Sequence, residues 1–144
     1  MTTVSGSPEV RPATPADLGD VARIQALAPE ASQWAPATYL QHLFLVAVYE
    51  NSVVGFAVAR AVAPGENEIL NLAVSPEFRR RGVASGLLRV VLTALSGTFF
   101  LEVRQSNTAA MRLYYSFGFQ EVGRRKGYYE NPSEAAIVLK FYSC

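Results

Sequence analysis

Apolar residues recur along this chain with two periods, and each change of period marks a change of element. After a short extended start at Val10-Arg11, Leu18, Val21, Ile24 and Ala28 recur at helical spacing and share one face. The segment Thr14-Pro15-Ala16-Asp17 before them reads as a helix start. Thr14 is the cap, Pro15 takes the first helical position, and Asp17 stands where a capping-box acid belongs. Pro29 ends that helix. A second short helix is predicted from near Pro36, carrying Tyr39, Leu40 and Leu43. Extended runs follow at 44–49, 53–62 and 69–74, separated by Glu50-Asn51-Ser52 and Pro64-Gly65-Glu66-Asn67 as turns. That much reads as an antiparallel meander.

Beyond Val74 the pattern changes. Residues 75–81 form a polar, basic loop, and Gly82 leads into a helix built on Val83, Leu87, Leu88, Val91, Leu92 and Leu95. Ser96-Gly97 stops it, and residues 98–103 are extended again. Strand, helix and strand in succession predict a parallel pair joined by a crossover. Residues 108–117 read as a further helix with Gly118 at its C-terminal cap. Strands at 119–124 and 135–142 then flank a loop containing Gly and Tyr. The predicted order is β-α-α-β-β-β-α-β-α-β-β, an α/β fold with a mixed central sheet flanked by helices, in one domain over 1–144 with 1–8 as a loose tail.

With 144 residues, the chain has the length of one domain, which buries roughly 70% of its unfolded surface. The 50% hydrophobic and 17% charged content excludes a disordered chain. A net charge of +1 excludes a strongly cationic nucleic-acid binder, so no DNA partner is expected. The single cysteine, Cys144, and single histidine, His42, leave no thiol–imidazole cluster for a metal. A hydrolase triad would have to be built around His42, which has no nucleophile motif near it. The start of the sequence lacks the basic and apolar regions of a secretory signal, and the longest apolar run, 43–49, is far below a membrane span. A cytoplasmic protein with no membrane partner is expected.

Candidate chemistry gathers in two places. The first is Arg79-Arg80-Arg81-Gly82-Val83-Ala84-Ser85, between a strand and a helix N-terminus. Unpaired amides there, the helix dipole, a glycine and a small Ala84 suit a phosphate or pyrophosphate, and arginines add to the attraction. The other reading is a solvated loop before an ordinary helix. The motif is neither a Walker loop nor a Gly-x-Gly-x-x-Gly turn. The second place is the stretch from Leu101-Glu102-Val103-Arg104 through Ser106-Asn107 to Leu113-Tyr114-Tyr115-Ser116-Phe117-Gly118-Phe119. By residue type alone, Glu102 reads as a surface acid at a strand end, paired with Arg104. Tyr114 packs with Leu113, Phe117 and Phe119, and Asn107 caps a helix.

Arg79-x-x-Gly82-x-Ala84 after Asn71-Leu72-Ala73-Val74 resembles the Arg/Gln-x-x-Gly-x-Gly/Ala signature of the GNAT acyl-CoA N-acyltransferases, and the element order is similar to theirs over about residues 9–142. The Leu101 to Phe119 stretch resembles the RimI type within that family, the ribosomal-protein-alanine N-acetyltransferases. Ala84 stands where Gly is common, and the segment 95–98 is shorter than in many RimI-type chains. The resemblance implies a GNAT fold with acetyl-CoA as acetyl donor. It implies that Arg79, Arg80, Arg81, Gly82, Val83, Ala84 and Ser85 hold the pyrophosphate and that Leu72, Ala73 and Val74 pair with the pantetheine. Asn107 is implied as a further cofactor contact.

It also implies Glu102 as general base and Tyr114 as general acid, with Tyr115 the competing tyrosine. The chemistry agrees: only a neutral amine attacks a thioester, and the departing thiolate needs a proton. Direct transfer needs no acyl-enzyme. The implied acceptor is a protein or peptide N-terminus, with Trp34, Tyr39, Tyr128 and Tyr129 lining its groove; these aromatics could equally plug loops onto the core. Arg124, Arg125 and Lys126 read either as a solvated basic turn or as a patch steering an acidic partner. A small-molecule amine, a lysine side chain, or a non-catalytic acyl-CoA-binding role are the alternatives.

Overall fold

The computed structural model describes residues 8–29, 31–129 and 134–142. Its strands form a mixed seven-stranded sheet in the order β1-β2-β3-β4-β5-β7-β6. These are β1 (Glu9–Pro12), β2 (Leu43–Tyr49), β3 (Ser52–Ala63), β4 (Glu66–Val74), β5 (Thr98–Arg104), β6 (Gln120–Tyr129) and β7 (Glu134–Tyr142). The α-helices are α1 (Leu18–Ala26), α2 (Val83–Ala94) and α3 (Thr108–Ser116). Residues 1–7 of the expected tail and Cys144 lie outside the described residues. Two compact units are distinguished, and the boundary passes through β3, β4 and α2.

The first unit comprises the described residues up to Ala59 together with Asn71–Val91. It contains the antiparallel meander, with Val10 opposite Ala47 and Val46 opposite Phe56. The entry to α1 matches the capping expectation: the Thr14 amide donates to Asp17 Oδ2 at 2.7 Å. Arg11 adds a two-pronged ion pair to the same carboxylate, at 2.8 and 3.0 Å. These contacts hold the Asp17 carboxyl well below its usual range, at about 2, with the Arg11 hydrogen bond outweighing the cost of burial. Val21 and Ile24 on α1 and Leu87, Leu88 and Val91 on α2 are completely buried. Gly55 on β3 lets the start of α2 come close, since a Cβ there would stand 3.0 Å from Val83 Cγ1 and 3.1 Å from the Ala73 carbonyl.

Arg60–Leu70 and the described residues from Leu92 onward make up the second unit. The crossover pair is parallel as expected, with Glu66, Asn67 and Glu68 opposite Thr98, Phe99 and Phe100. Buried Asn67 ties the start of β4 to the end of α2, donating to the Ser96 carbonyl at 2.9 Å and the Thr98 carbonyl at 3.2 Å. An aromatic row seats α3 on the sheet. Tyr114 meets Phe119 edge-on at 5.2 Å, Phe119 stacks on Phe141 at 5.2 Å, and Phe141 lies 6.4 Å from Phe99.

Four boundaries differ from the periodic reading. The second helix is a 3-10 turn, Pro36–Gln41, too short for an α-helix and closed by His42 in extended conformation. Part of the basic loop is a further 3-10 turn, Pro76–Phe78. β4 begins at Glu66 because pairing with β5 recruits polar residues that hydrophobicity leaves out. β6 continues to Tyr129, so Gly127 and Tyr128 lie in a strand and not in a loop. A register irregularity between Arg125 and Tyr129 accommodates Gly127 at φ 61°.

Candidate active site

The basic loop turns sharply into α2. Arg80 at φ 64° and Gly82 at φ 80° both adopt the left-handed conformation, and the first helical bond runs from the Gly86 amide to the Gly82 carbonyl at 3.0 Å. The amides of Gly82, Val83, Ala84 and Ser85 therefore have no carbonyl of their own helix to bond, which suits an anion. A Cβ on Gly82 would meet nothing within 4 Å, so space is open on that side and the glycine answers to backbone conformation. Val83 is 3% exposed and faces inward, leaving its amide as the group it can offer. The three arginines do not converge on one point. Arg79 Nε reaches back to the Val74 carbonyl at 3.4 Å, Arg81 lies over the Phe78 ring at 5.3 Å, and Arg80 is exposed. The residues present fit a pyrophosphate bound through backbone amides more than one bound through side chains.

At the end of β4, Ala73 and Val74 are buried and Leu72 is half-buried. The Leu72 amide is taken by Asn71 Oδ1 at 3.0 Å.

In the second unit, Glu102 lies in the middle of β5 with its side chain 25% exposed and 2.9 Å from Arg125 on β6. The residue-type reading offers Arg104 as its partner; the ion pair formed among the described residues is to Arg125. Arg104 turns to Glu134 at 3.1 Å, because alternation along β5 sends Glu102 and Arg104 to one face where each finds its own cross-strand partner. Arg125 also covers the Tyr128 ring at 5.0 Å, and Arg124 pairs with Glu121 at 2.7 Å. The basic turn is thus a strand segment with two of its cations engaged.

Tyr114 is 5% exposed, and burial pushes its phenol far up from the ordinary range, so the group keeps its proton at any working pH. Tyr115 next to it is 46% exposed. Asn107 caps α3, its Oδ1 accepting from the Ala110 amide at 3.2 Å. The loop before it is pinned by Glu134, which accepts from the Ser106 amide at 3.0 Å and from Ser106 Oγ at 3.1 Å. Burial alone would raise the Glu134 carboxyl; bonds from Ser106 and Arg104 bring it below its usual range.

The expected acceptor aromatics separate. Trp34 and Tyr128 are each 50% exposed. Tyr129 ends β6, and its side chain lies outside the described residues. Tyr39 corrects the expectation: at 1% exposure it is core and not groove wall, because its hydroxyl is committed inside the protein. Burial raises that phenol, partly offset by the hydrogen bond from Asn71. The Oη donates to Gln25 Oε1 at 2.6 Å and accepts from Asn71 Nδ2 at 3.1 Å.

Three functional side chains are not explained by the sequence reading: Gln25, which it does not name, Asn71, which it takes only as part of the strand before the basic loop, and Arg125, which it takes only as part of a basic turn. Two of them carried a signal. Gln25 lies four residues after Val21 and three before Ala28, on the apolar face of α1, and Asn71 alternates with Ile69 and Ala73 on the buried face of β4. Among the described residues no group of three or more His, Cys, Asp or Glu could hold a metal ion, and no helix is long and apolar enough to cross a membrane.

A family model described as the acetyltransferase (GNAT) family matches residues 16–119. The [ribosomal protein bS18]-alanine N-acetyltransferase of Haemophilus ducreyi is 35% identical over 76% of this chain and 83% of its own length. N-alpha-acetyltransferase RimI of Mycobacterium tuberculosis is 35% identical over 74% of each chain. The crystal structure of the ribosomal-protein-S18-alanine N-acetyltransferase from Escherichia coli superposes with a TM-score of 0.81 at 28% identity, covering 94% of this chain and 93% of that one.

Proposed function

Because the chain belongs to the acetyltransferase (GNAT) family, we propose that it transfers the acetyl group of acetyl-CoA directly to the N-terminal α-amine of a protein. An alanine-first ribosomal protein of the small subunit is the acceptor class. The observation that carries the acceptor is that relatives 35% and 34% identical over 76% of this chain are named for the alanine of a ribosomal protein. The cytoplasm, where such N-termini are made, is the compartment this reading assigns.

Bound acetyl-CoA supplies a thioester carbonyl and a thiolate leaving group. The amides of Gly82, Val83, Ala84 and Ser85 hold its pyrophosphate, and Leu72, Ala73 and Val74 present strand backbone to the pantetheine. Glu102, directly or through a water, accepts the proton of the attacking amine as the N–C bond forms. Tyr114 donates its hydrogen to the sulfur as the C–S bond breaks. An α-amine, with a pKa near ~8 against ~10.4 for lysine, is partly neutral at working pH and asks less of the base. Asn107 keeps an amide donor for the cofactor while its oxygen caps α3. Trp34 and Tyr128, both half-exposed, are assigned to the acceptor side.

The test is incubation with acetyl-CoA and peptides beginning with free Ala, Ser or Met, following thiol release and mapping the product by mass. Transfer to the α-amine of the Ala-first peptide supports the reading. Transfer only to lysine or to small amines, or cofactor binding with no transfer, overturns it.

A further inference from the structure

Three buried polar side chains of the first unit form one hydrogen-bonded cluster that the proposed chemistry does not use. Gln25 comes from α1, Tyr39 from the 3-10 turn, and Asn71 from β4; they are 5%, 1% and 6% exposed. Tyr39 Oη and Asn71 Nδ2 both donate to Gln25 Oε1, at 2.6 and 3.2 Å, and Asn71 Nδ2 also reaches Tyr39 Oη. The remaining donors leave the cluster for the chain between α1 and β2. Asn71 Nδ2 donates to the Ser32 carbonyl at 2.9 Å, and Gln25 Nε2 to the Trp34 carbonyl at 2.6 Å. Asn71 Oδ1 meanwhile holds the Leu72 amide at 3.0 Å. One cluster thus grips the backbone on both sides of Gln33 and the amide of the strand residue assigned to the pantetheine.

An apolar trio of similar volume would fill this site without the cost of burying so many polar atoms. What a satisfied network adds is a single arrangement, since any displacement of the loop leaves buried donors unpaired. Gln33 reinforces the grip, its Nε2 donating to the Gln25 and Ala28 carbonyls at 2.9 and 3.1 Å. The half-exposed Trp34 ring therefore projects from a loop whose backbone is anchored at Ser32 and at Trp34 itself.

We propose that Gln25, Tyr39 and Asn71 are positioning residues that hold the Trp34 loop in fixed register with β4 at Leu72, and so set the affinity for the acceptor amine. This rests on the α-amine reading, in which Trp34 lines the acceptor side. The cluster touches no reacting atom and acts through the loop.

Tyr39→Phe removes one hydroxyl while keeping the ring against Phe44 and Phe56, whose centroids lie 5.5 and 6.0 Å away. Gln25→Met keeps the side-chain length and removes the donor to the Trp34 carbonyl. Each variant is expected to raise the KM for an Ala-first peptide about 3- to 10-fold, the size of one net hydrogen bond, with kcat and the KM for acetyl-CoA within about twofold. Trp34 is the one tryptophan of the chain, so its emission and its quenching by acrylamide report on the loop directly. Quenching is expected to rise in both variants, and the double variant to show less than the product of the single effects. Wild-type quenching and peptide KM in both variants overturn the proposal, as does an equal rise in both KM values. If no peptide is acetylated at all, the α-amine reading has failed. Quenching then decides by itself whether the cluster holds the loop, and wild-type values there overturn that holding role as well.

Discussion

Replacing Tyr114 by Phe separates proton donation from packing more cleanly than any other change in this protein. The ring is 5% exposed and meets Phe119 edge-on at 5.2 Å, and Phe keeps both the volume and that contact. Loss of the hydroxyl alone should change stability by no more than about 1 kcal/mol, or roughly 4 °C in Tm for a chain of this size. Donation to the leaving sulfur is worth about 10²- to 10⁴-fold in kcat, roughly 2.7 to 5.5 kcal/mol of barrier. The two scales do not overlap, so the cause of a lost rate can be read. Because burial holds the phenol well above its ordinary range, Tyr114 should add no limb to the pH–rate profile below about pH 10.

The assay is thiol release at saturating acetyl-CoA and peptide, with coenzyme A affinity and Tm measured on the same preparation. We expect Tyr114→Phe to lose at least about 100-fold in kcat with cofactor affinity within about threefold, and Tyr115→Phe, at a half-exposed position, to leave kcat unchanged. A wild-type rate for Tyr114→Phe, or a loss confined to Tyr115→Phe, refutes the assignment. A drop of more than about 10 °C in Tm would place the loss in folding instead.

Three further perturbations address the remaining parts. Glu102→Gln should lower kcat by about 10²- to 10⁴-fold with coenzyme A binding intact; full turnover would remove Glu102 as the base. Gly82→Val puts a β-branched residue at φ 80° with nothing within 4 Å of its Cβ, so calorimetry should show coenzyme A affinity falling about tenfold or more while the chain still folds. An unchanged affinity would end the case for an amide-bound pyrophosphate. Asp17 has its folded pKa lowered from 3.8 to about 2, so its contribution is complete above about pH 4 and is lost as pH falls from there toward 2. Asp17→Asn should cost about 2 kcal/mol at pH 7, less whatever water screens around Arg11, and should flatten Tm against pH over that acid window. An unchanged acid profile would show that the Arg11 pair adds nothing to stability.

What could be read from the chain, and what could not, divides along a physical line. The helix spacing from Val83 to Val91, the continuous apolar run of β2 and the alternation in β5 are local patterns, and the structure places those elements within a residue or two. The family motifs are local as well, since amides at a helix N-terminus and a capped turn into α3 lie within a few residues of each other. Partners brought together by strand pairing were hidden. Glu102 meets Arg125 only because β5 and β6 flank β7, which no spacing between the two residues reveals. The same cause explains why Tyr39 looked like a groove aromatic: nothing near it in sequence says that its hydroxyl finds Gln25 and Asn71. Yet a glutamine on the apolar face of α1 and an asparagine on the buried face of β4 both break a local rule, and a buried amide needs a partner. Two such breaks, at positions 25 and 71, already imply that something polar joins them in the core, and Tyr39 is the side chain that does so.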